Sequence, residues 1–206
     1  MSLLLLARHG NTFGPGDRIV WVGAKENLPL VKSGEAQAAA LGEALRELSL
    51  APATLVSGPL KRTRRAAEIV KAITASDADI AIDTRLTEID YGAWGGKTDA
   101  EITDEFGPDA IPDWRERHVR PANAGWTPDD AALKSNALGV LNDMSSAGHP
   151  ALVITSNGIL RYFHAALGFS GDAKVKTGHV CAARREGGDW KPLFWNRHPD
   201  SLTEIL

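Results

Sequence analysis

Three short stretches of the sequence carry side chains suited to phosphoryl transfer. The first is Arg8-His9-Gly10-Asn11-Thr12, which follows the apolar run Leu3 to Ala7. A neutral imidazole can attack phosphorus, and histidine forms covalent intermediates of this kind. The planar fork of an arginine matches phosphate oxygens. Gly10 lets the backbone come close to a bound ligand, and Asn11 and Thr12 would line the same turn. The second stretch is Ser57-Gly58-Pro59-Leu60-Lys61-Arg62, which opens a helix. Its free N–H groups and positive dipole end would face the same anion, with Arg62 as a second clamp. Lys61, Arg64 and Arg65 read as a solvated helix face. The third stretch runs from Leu86 to Gly96 and contains Glu88. A carboxyl group beside a phosphate dianion holds its proton more tightly and can protonate a leaving oxygen. Asp90 is expected to support the loop instead.

These residues need a scaffold that brings them to one edge. Strand patterns cover Leu3–Ala7, Thr54–Val56, Ile80–Ile82 and Ala151–Ile154. Helical patterns lie between them. One starts at Ser33 as N-cap and carries Ala38, Leu41, Leu45 and Leu48. One has Pro59 in its first turn and runs to about Ile73. One begins at Thr127-Pro128-Asp129-Asp130, with Thr127 as cap. A fourth follows the turn Ser156-Asn157-Gly158 and passes through Phe163 to Leu167. Val180 to Arg184 and Trp190 to Trp195 flank Gly187-Gly188-Asp189 as a hairpin. The alternation predicts a three-layer α/β/α sandwich on a mostly parallel sheet. Ligands then bind beyond the carboxyl ends of the strands, where Arg8 to Thr12, Ser57 to Arg62 and Ser156-Asn157-Gly158 fall. The segment at about 91–126 is rich in Gly, Pro, charge and Trp and reads as a lid or insertion, with residues 1–206 as a single domain.

Composition narrows the classes. The chain has 206 residues, 23 Lys+Arg against 26 Asp+Glu, and a formal net charge of −3. A hydrophobic share of 43% and a charged share of 24% belong to a globular protein with its own core. Near-neutral charge gives no support to nucleic-acid binding, and no segment is long enough to span a membrane. Leu3 to Leu6 ends at once in Arg8-His9-Gly10, so it reads as a strand and not as a signal peptide. A single cysteine, Cys181, gives no internal disulfide, and a cytoplasmic location is expected. No His/Cys/Asp cluster has metal-ligand spacing, so no metal or other cofactor is expected.

The motifs resemble those of the histidine phosphatase superfamily, the phosphoglycerate mutase-like enzymes. Leu6-Ala7-Arg8-His9-Gly10-Asn11-Thr12 is similar to the family's opening motif. Pro29-Leu30, Gly34 and Gln37 are similar to its second motif, and Ser57 through Arg62 to its third. Leu86-Thr87-Glu88 with Gly92-Ala93-Trp94-Gly95-Gly96 is similar to its acid motif. The resemblance implies the phosphoglycerate mutase-like fold, His9 as nucleophile, Arg8 and Arg62 as phosphate ligands, and Glu88 as proton donor. It implies a small phosphorylated metabolite or inorganic phosphate as partner; oligomeric state stays open.

One departure stands out. Where the family has Ser-His-Gly, this chain has Ser156-Asn157-Gly158, followed in frame by Arg161. An Asn amide still donates a hydrogen bond but carries no charge. Asn157 and Gly158 are therefore expected at the phosphate, with His179 as a further candidate facing it. His118, His149, His164 and His198 have no motif around them.

Two other motifs fail. Gly95-Gly96-Lys97-Thr98 lacks the earlier glycine of a P-loop, and Ser156 lacks the first glycine of a nucleophile elbow. The expected activity is a phosphomonoester phosphatase working through phospho-His9. The alternatives are a mutase-type phosphotransferase, which would need a more elaborate lid, and a phosphate-binding protein impaired by Asn157. Arg115, Arg117 and Arg120 are possible substrate contacts in the insertion.

Overall fold

The structure is a computed structural model and describes residues 2–204. Six strands form one sheet in the order β3-β2-β4-β1-β5-β6. They are β1 (Ser2–Arg8), β2 (Thr54–Ser57), β3 (Ile80–Ile82), β4 (Ala151–Thr155), β5 (Val180–Glu186) and β6 (Asp189–Arg197). The first four are parallel, and the hairpin β5–β6 closes one side antiparallel. The helices are α1 (Lys32–Glu47), α2 (Lys61–Thr74), α3 (Asp99–Phe106), α4 (Ala110–Arg117), α5 (Asp130–Met144) and α6 (Asn157–Ala166).

The period of two along each strand builds the layers. In β1, Leu5 and Ala7 turn to α1 and α2, where Leu41, Leu45, Ala67 and Val70 are buried. Leu4 and Leu6 turn to the opposite face, which holds α5, α6 and the aromatic residues of the 91–126 segment. Burial on both faces explains why β1 and β4 are solid apolar runs. Cys181 is buried in the same sheet, and burial pushes its thiol up to about 12. Among the described residues no helix is long and apolar enough to cross a membrane.

Four helix starts differ from the sequence expectation. Helix α2 begins at Lys61 with Leu60 as N-cap, so Pro59 precedes the helix and is not in its first turn. Helix α1 begins at Lys32, with Val31 as N-cap; Ser33 lies inside the first turn, where its hydroxyl accepts from Asn11. Helix α5 is capped by Asp129, whose carboxylate accepts from the Ala132 N–H at 2.8 Å, and not by Thr127, whose backbone pairs with Asp90. Helix α6 begins at Asn157, so Asn157 and Gly158 are first-turn residues and not a separate turn.

Gly10 and Gly34 fix how closely α1 approaches the loop after β1. A Cβ on Gly10 would lie 2.2 Å from the Gly34 carbonyl oxygen, and one on Gly34 would lie 2.1 Å from the Asn11 oxygen. An exposed helical glycine gains about 1 kcal/mol on replacement by alanine. Here the sign reverses, because overpacking costs about 1–3 kcal/mol or more. Gly34→Ala is expected to destabilise by at least about 2 kcal/mol in urea titration; a stabilised variant would show that this contact is not closely packed.

Candidate active site

The three chemical stretches meet beyond the carboxyl ends of β1, β2 and β4, in a cleft of about 770 Å³. His9 leaves β1 directly and is 6% exposed. Its Nδ1 lies 2.7 Å from the Gly10 carbonyl oxygen. A carbonyl only accepts, so Nδ1 carries the proton and Nε2 keeps the lone pair. Arg62 Nε donates to that Nε2 at 3.1 Å. The side chain of Arg62 is 1% exposed and sits in the first turn of α2. Its other two nitrogens donate to the carbonyls of Glu26 at 3.1 Å and Gly23 at 3.0 Å. Burial lowers the His9 pKa well below the usual imidazole value, and the charges of Arg62 and Arg8 lower it further.

Glu88 faces this group from the loop after β3. It is 5% exposed, and burial raises its carboxyl above the ordinary range, against the charges of Arg62 and Arg8. Its oxygens accept from the N–H groups of Ile89 at 2.9 Å and Gly158 at 3.2 Å. A Cβ on Gly158 would meet Glu88 Oε1 at 2.2 Å and the Tyr91 hydroxyl at 2.8 Å. Gly158 thus brings the acid against the start of α6, and its N–H holds the carboxyl instead of facing the cleft as expected for a phosphate ligand.

Arg8 and Asn157 are oriented by the backbone of one residue, Val175. The Val175 carbonyl accepts from Arg8 Nη1 at 2.7 Å, and the Val175 N–H donates to Asn157 Oδ1 at 2.8 Å. The second contact fixes the amide, so the Nδ2 donor is the end left for the cleft, which Asn157 lines. Arg8 Nε is buried without a partner. Asn11 and Thr12 also line the cleft. Asn11 is tied down by Gln37, whose Oε1 accepts its N–H at 2.8 Å, and by the Thr177 hydroxyl at 2.6 Å.

Two further expected phosphate contacts, besides Gly158, fall elsewhere. Gly10 packs against Gly34, as described, and is absent from the cleft lining. His179 turns away from the cleft: its Nδ1 lies 3.1 Å from the Asn196 carbonyl and its ring packs edge-on against His198. Only the His179 backbone reaches the site, where its carbonyl accepts from the Arg8 N–H. The cause is the β5–β6 hairpin, whose register points that side chain toward β6. His164 is buried against Phe169 and Trp195.

Arg161 is a cleft residue not among the expected ligands. It is buried, lies over the Trp114 ring at 5.0 Å, and donates to the carbonyls of Trp114 and Arg115. Its spacing of four from Asn157 puts both on one face of α6, and that was the available signal. The carbonyls of Gly23 and Glu26 left no signal, because any residue supplies a carbonyl. In the 91–126 segment, Arg115 lines the cleft and pairs with Asp99, whereas Arg117 pairs with Asp113 and Arg120 lies over Trp126. Asp90 supports the loop as expected, accepting from Gly92 N–H and pairing with Lys25.

Among the described residues no cluster of His, Cys, Asp and Glu has the arrangement to hold a metal ion. The site gathers an imidazole, a buried carboxyl, guanidinium groups and an amide donor. It can form a bond from His9 Nε2 to an electrophilic centre, neutralise an anion there, and move a proton at Glu88.

Comparison with known proteins identifies the family and the fold. The chain is 33% identical over 211 residues to a 2,3-bisphosphoglycerate-dependent phosphoglycerate mutase of Bifidobacterium longum, covering 98% of this chain and 78% of the relative. It is 32% identical over 165 residues to a probable phosphoglycerate mutase, GpmB, of Citrobacter koseri, covering 77% and 71%. The fold is shared with a mycobacterial glucosyl-3-phosphoglycerate phosphatase, at a TM-score of 0.76, 21% identity, and coverage of 94% and 98%. It is shared as well with Bacillus stearothermophilus YhfR, at a TM-score of 0.76, 24% identity, and coverage of 97% and 100%. The family model for the histidine phosphatase superfamily (branch 1) matches residues 4–198, from the first strand to just past the last, and the chain belongs to that superfamily.

Proposed function

We propose that this chain is a phosphomonoester phosphatase that works through a phosphohistidine on His9. Residues 1–206 would act as one catalytic domain, with the 91–126 segment as its lid. The observation that carries this reading is the geometry of two buried groups: an imidazole whose Nδ1 faces the Gly10 carbonyl, which leaves the Nε2 lone pair free of a proton, and a carboxyl in the same cleft whose pKa burial raises. Substrate phosphate would displace the Arg62 contact from Nε2 and take up donors from Arg8, Arg62 and Asn157. His9 Nε2 then bonds to phosphorus as the ester oxygen departs with the Glu88 proton. Glu88, now a carboxylate, takes a proton from water; the water oxygen bonds to phosphorus and the N–P bond breaks. Members of this superfamily are phosphatases or mutases, and the mycobacterial phosphatase of this fold has been solved with inorganic phosphate and with vanadate. The outer end of the cleft is open, with Ile19 62% exposed there. That favours hydrolysis over a mutase cycle, which must keep water from the phosphoenzyme.

Brief incubation with a labelled phosphomonoester and a quench in base should trap acid-labile phosphate on the protein. Label persisting in His9→Ala would defeat the assignment, and a phosphate-binding protein without turnover would give no label at all. Isomerised substrate in place of free phosphate would identify a mutase.

The pH dependence has a definite sign. His9 must be unprotonated, so activity falls below its lowered pKa. Glu88 must be protonated, so activity falls above its raised pKa. The two shifts move the limits apart and widen a window that ordinary values would close. In kcat/KM the alkaline limb is expected to disappear in Glu88→Gln, with kcat lower by about 10²–10⁴ on poor leaving groups. Equal losses on all leaving groups would rule out the acid role.

Asn157→Ala is expected to lower kcat by about 10², the cost of one preorganised donor. Asn157→His can keep the Val175 contact through Nδ1 and present Nε2–H, and is expected to raise kcat by about tenfold at most. If both variants match the parent enzyme, Asn157 does not touch the phosphoryl group.

A further inference from the structure

The side chains of Arg8, His9, Arg62, Asn157 and Arg161 each have a hydrogen-bond partner that fixes them in the cleft. Tyr91 lines the same cleft and is an exception. It is 6% exposed, and among the described residues its hydroxyl has no hydrogen-bond partner. A tyrosine buried to this extent usually finds one. Packing holds the ring in place. It sits edge-on against Trp21 at 5.1 Å and against Trp126 at 4.7 Å, so an aromatic cluster aims the hydroxyl.

The direction of aim is toward the acid. The space beside Gly158 is bounded by two oxygens: a Cβ placed there would lie 2.2 Å from Glu88 Oε1 and 2.8 Å from the Tyr91 hydroxyl. Glu88 accepts from two backbone donors, the Ile89 N–H on Oε1 and the Gly158 N–H on Oε2. A carboxylate accepts about four hydrogen bonds, so Oε1 has room for a further donor. The charges facing this pair come from three elements: Arg8 at the end of β1, Arg62 in α2 and Arg161 in α6. Burial and the charge of Glu88 push the Tyr91 hydroxyl well above the ordinary tyrosine value. It therefore keeps its proton and remains a donor throughout the working range of Glu88.

Resting on the phosphatase reading above, we infer that Tyr91 is a positioning residue for Glu88, its hydroxyl donating to Oε1 once the carboxyl has given its proton to the leaving oxygen. The role needs no bond from Tyr91 to the substrate. The O–H stays on Tyr91 throughout. Only the Glu88 proton moves, first to the ester oxygen and then back to Glu88 from water. Between those steps the site holds a buried carboxylate, and a third donor lowers its energy.

Tyr91→Phe keeps the ring against Trp21 and Trp126 and removes only the oxygen. The Glu88 carboxyl is titrated by carbon NMR in protein labelled at the glutamate side-chain carboxyl, with Glu88→Gln assigning the signal. Loss of a donor to the carboxylate is expected to raise the midpoint by about one unit. A merely loosened structure would admit water and lower it instead. In turnover, the alkaline limb of kcat/KM should move up with the carboxyl. The expected loss in kcat is about tenfold on ethyl phosphate and less than about twofold on 2,4-dinitrophenyl phosphate, whose leaving group needs no proton. A midpoint that stays in place or falls overturns the inference, as does an equal loss on the two esters; either result leaves the phosphatase reading intact. If the parent protein turns over neither ester, the phosphatase reading fails, and the NMR midpoint alone decides whether Tyr91 serves Glu88.

Discussion

A fully buried guanidinium sets the terms for the active site. Arg62 is 1% exposed, and no carboxylate touches it. An isolated buried charge costs several kcal/mol unless its hydrogen bonds are made. Two of those bonds require the loop carrying Gly23 and Glu26 to lie across the start of α2. That loop is held in turn by the Ala24 N–H on the Ile89 carbonyl, next to Glu88. Gly23 has no room for a side chain, since a Cβ would lie 2.5 Å from that carbonyl. The third bond goes to His9. A single cation therefore ties His9, the Glu88 loop and the cleft wall into one arrangement.

The same charge shapes the titration of its neighbours. Arg62 and Arg8 work with burial to keep His9 neutral, whereas at Glu88 they oppose burial and only partly offset it. Burial therefore favours the uncharged form of both groups, which are the forms a nucleophile and an acid need. Four guanidinium groups, those of Arg8, Arg62, Arg115 and Arg161, line the cleft with two carboxyl groups, Asp99, which pairs with Arg115, and Glu88, whose pKa is raised.

The 91–126 segment has its own logic. It owes its shape to indoles more than to regular structure. Trp94 and Trp126 stack edge-on at 4.9 Å, and Trp114 meets Trp126 at 4.9 Å. Edge-to-face pairs of this kind add to plain burial. The cluster carries α4 to the cleft, where Arg161 grips the carbonyls at its end. Through Asn157 and Arg161 one face of α6 touches both the phosphate end and this segment, so the chemistry and the cleft wall share a helix.

Much of this was legible in the sequence. Strand and helix periods, with ligand-binding residues just after strands, were enough for the three-layer sheet and for bringing Arg8, His9, Arg62, Glu88 and Asn157 to one edge. Those features are local: a run of alternating or helical burial is written in consecutive residues, and the end of a parallel strand is a predictable place. What only the tertiary structure decided depends on contacts between distant segments. Gly158 bonds Glu88 and does not line the cleft because α6 starts two residues earlier than the turn pattern indicated. His179 points away because the hairpin register, and not the residue type, aims its ring. The carbonyls of Gly23, Glu26 and Val175 orient the functional side chains, and a carbonyl is common to every residue. Residue types specify which chemistry is available; packing across the sheet edge determines which of those groups meet.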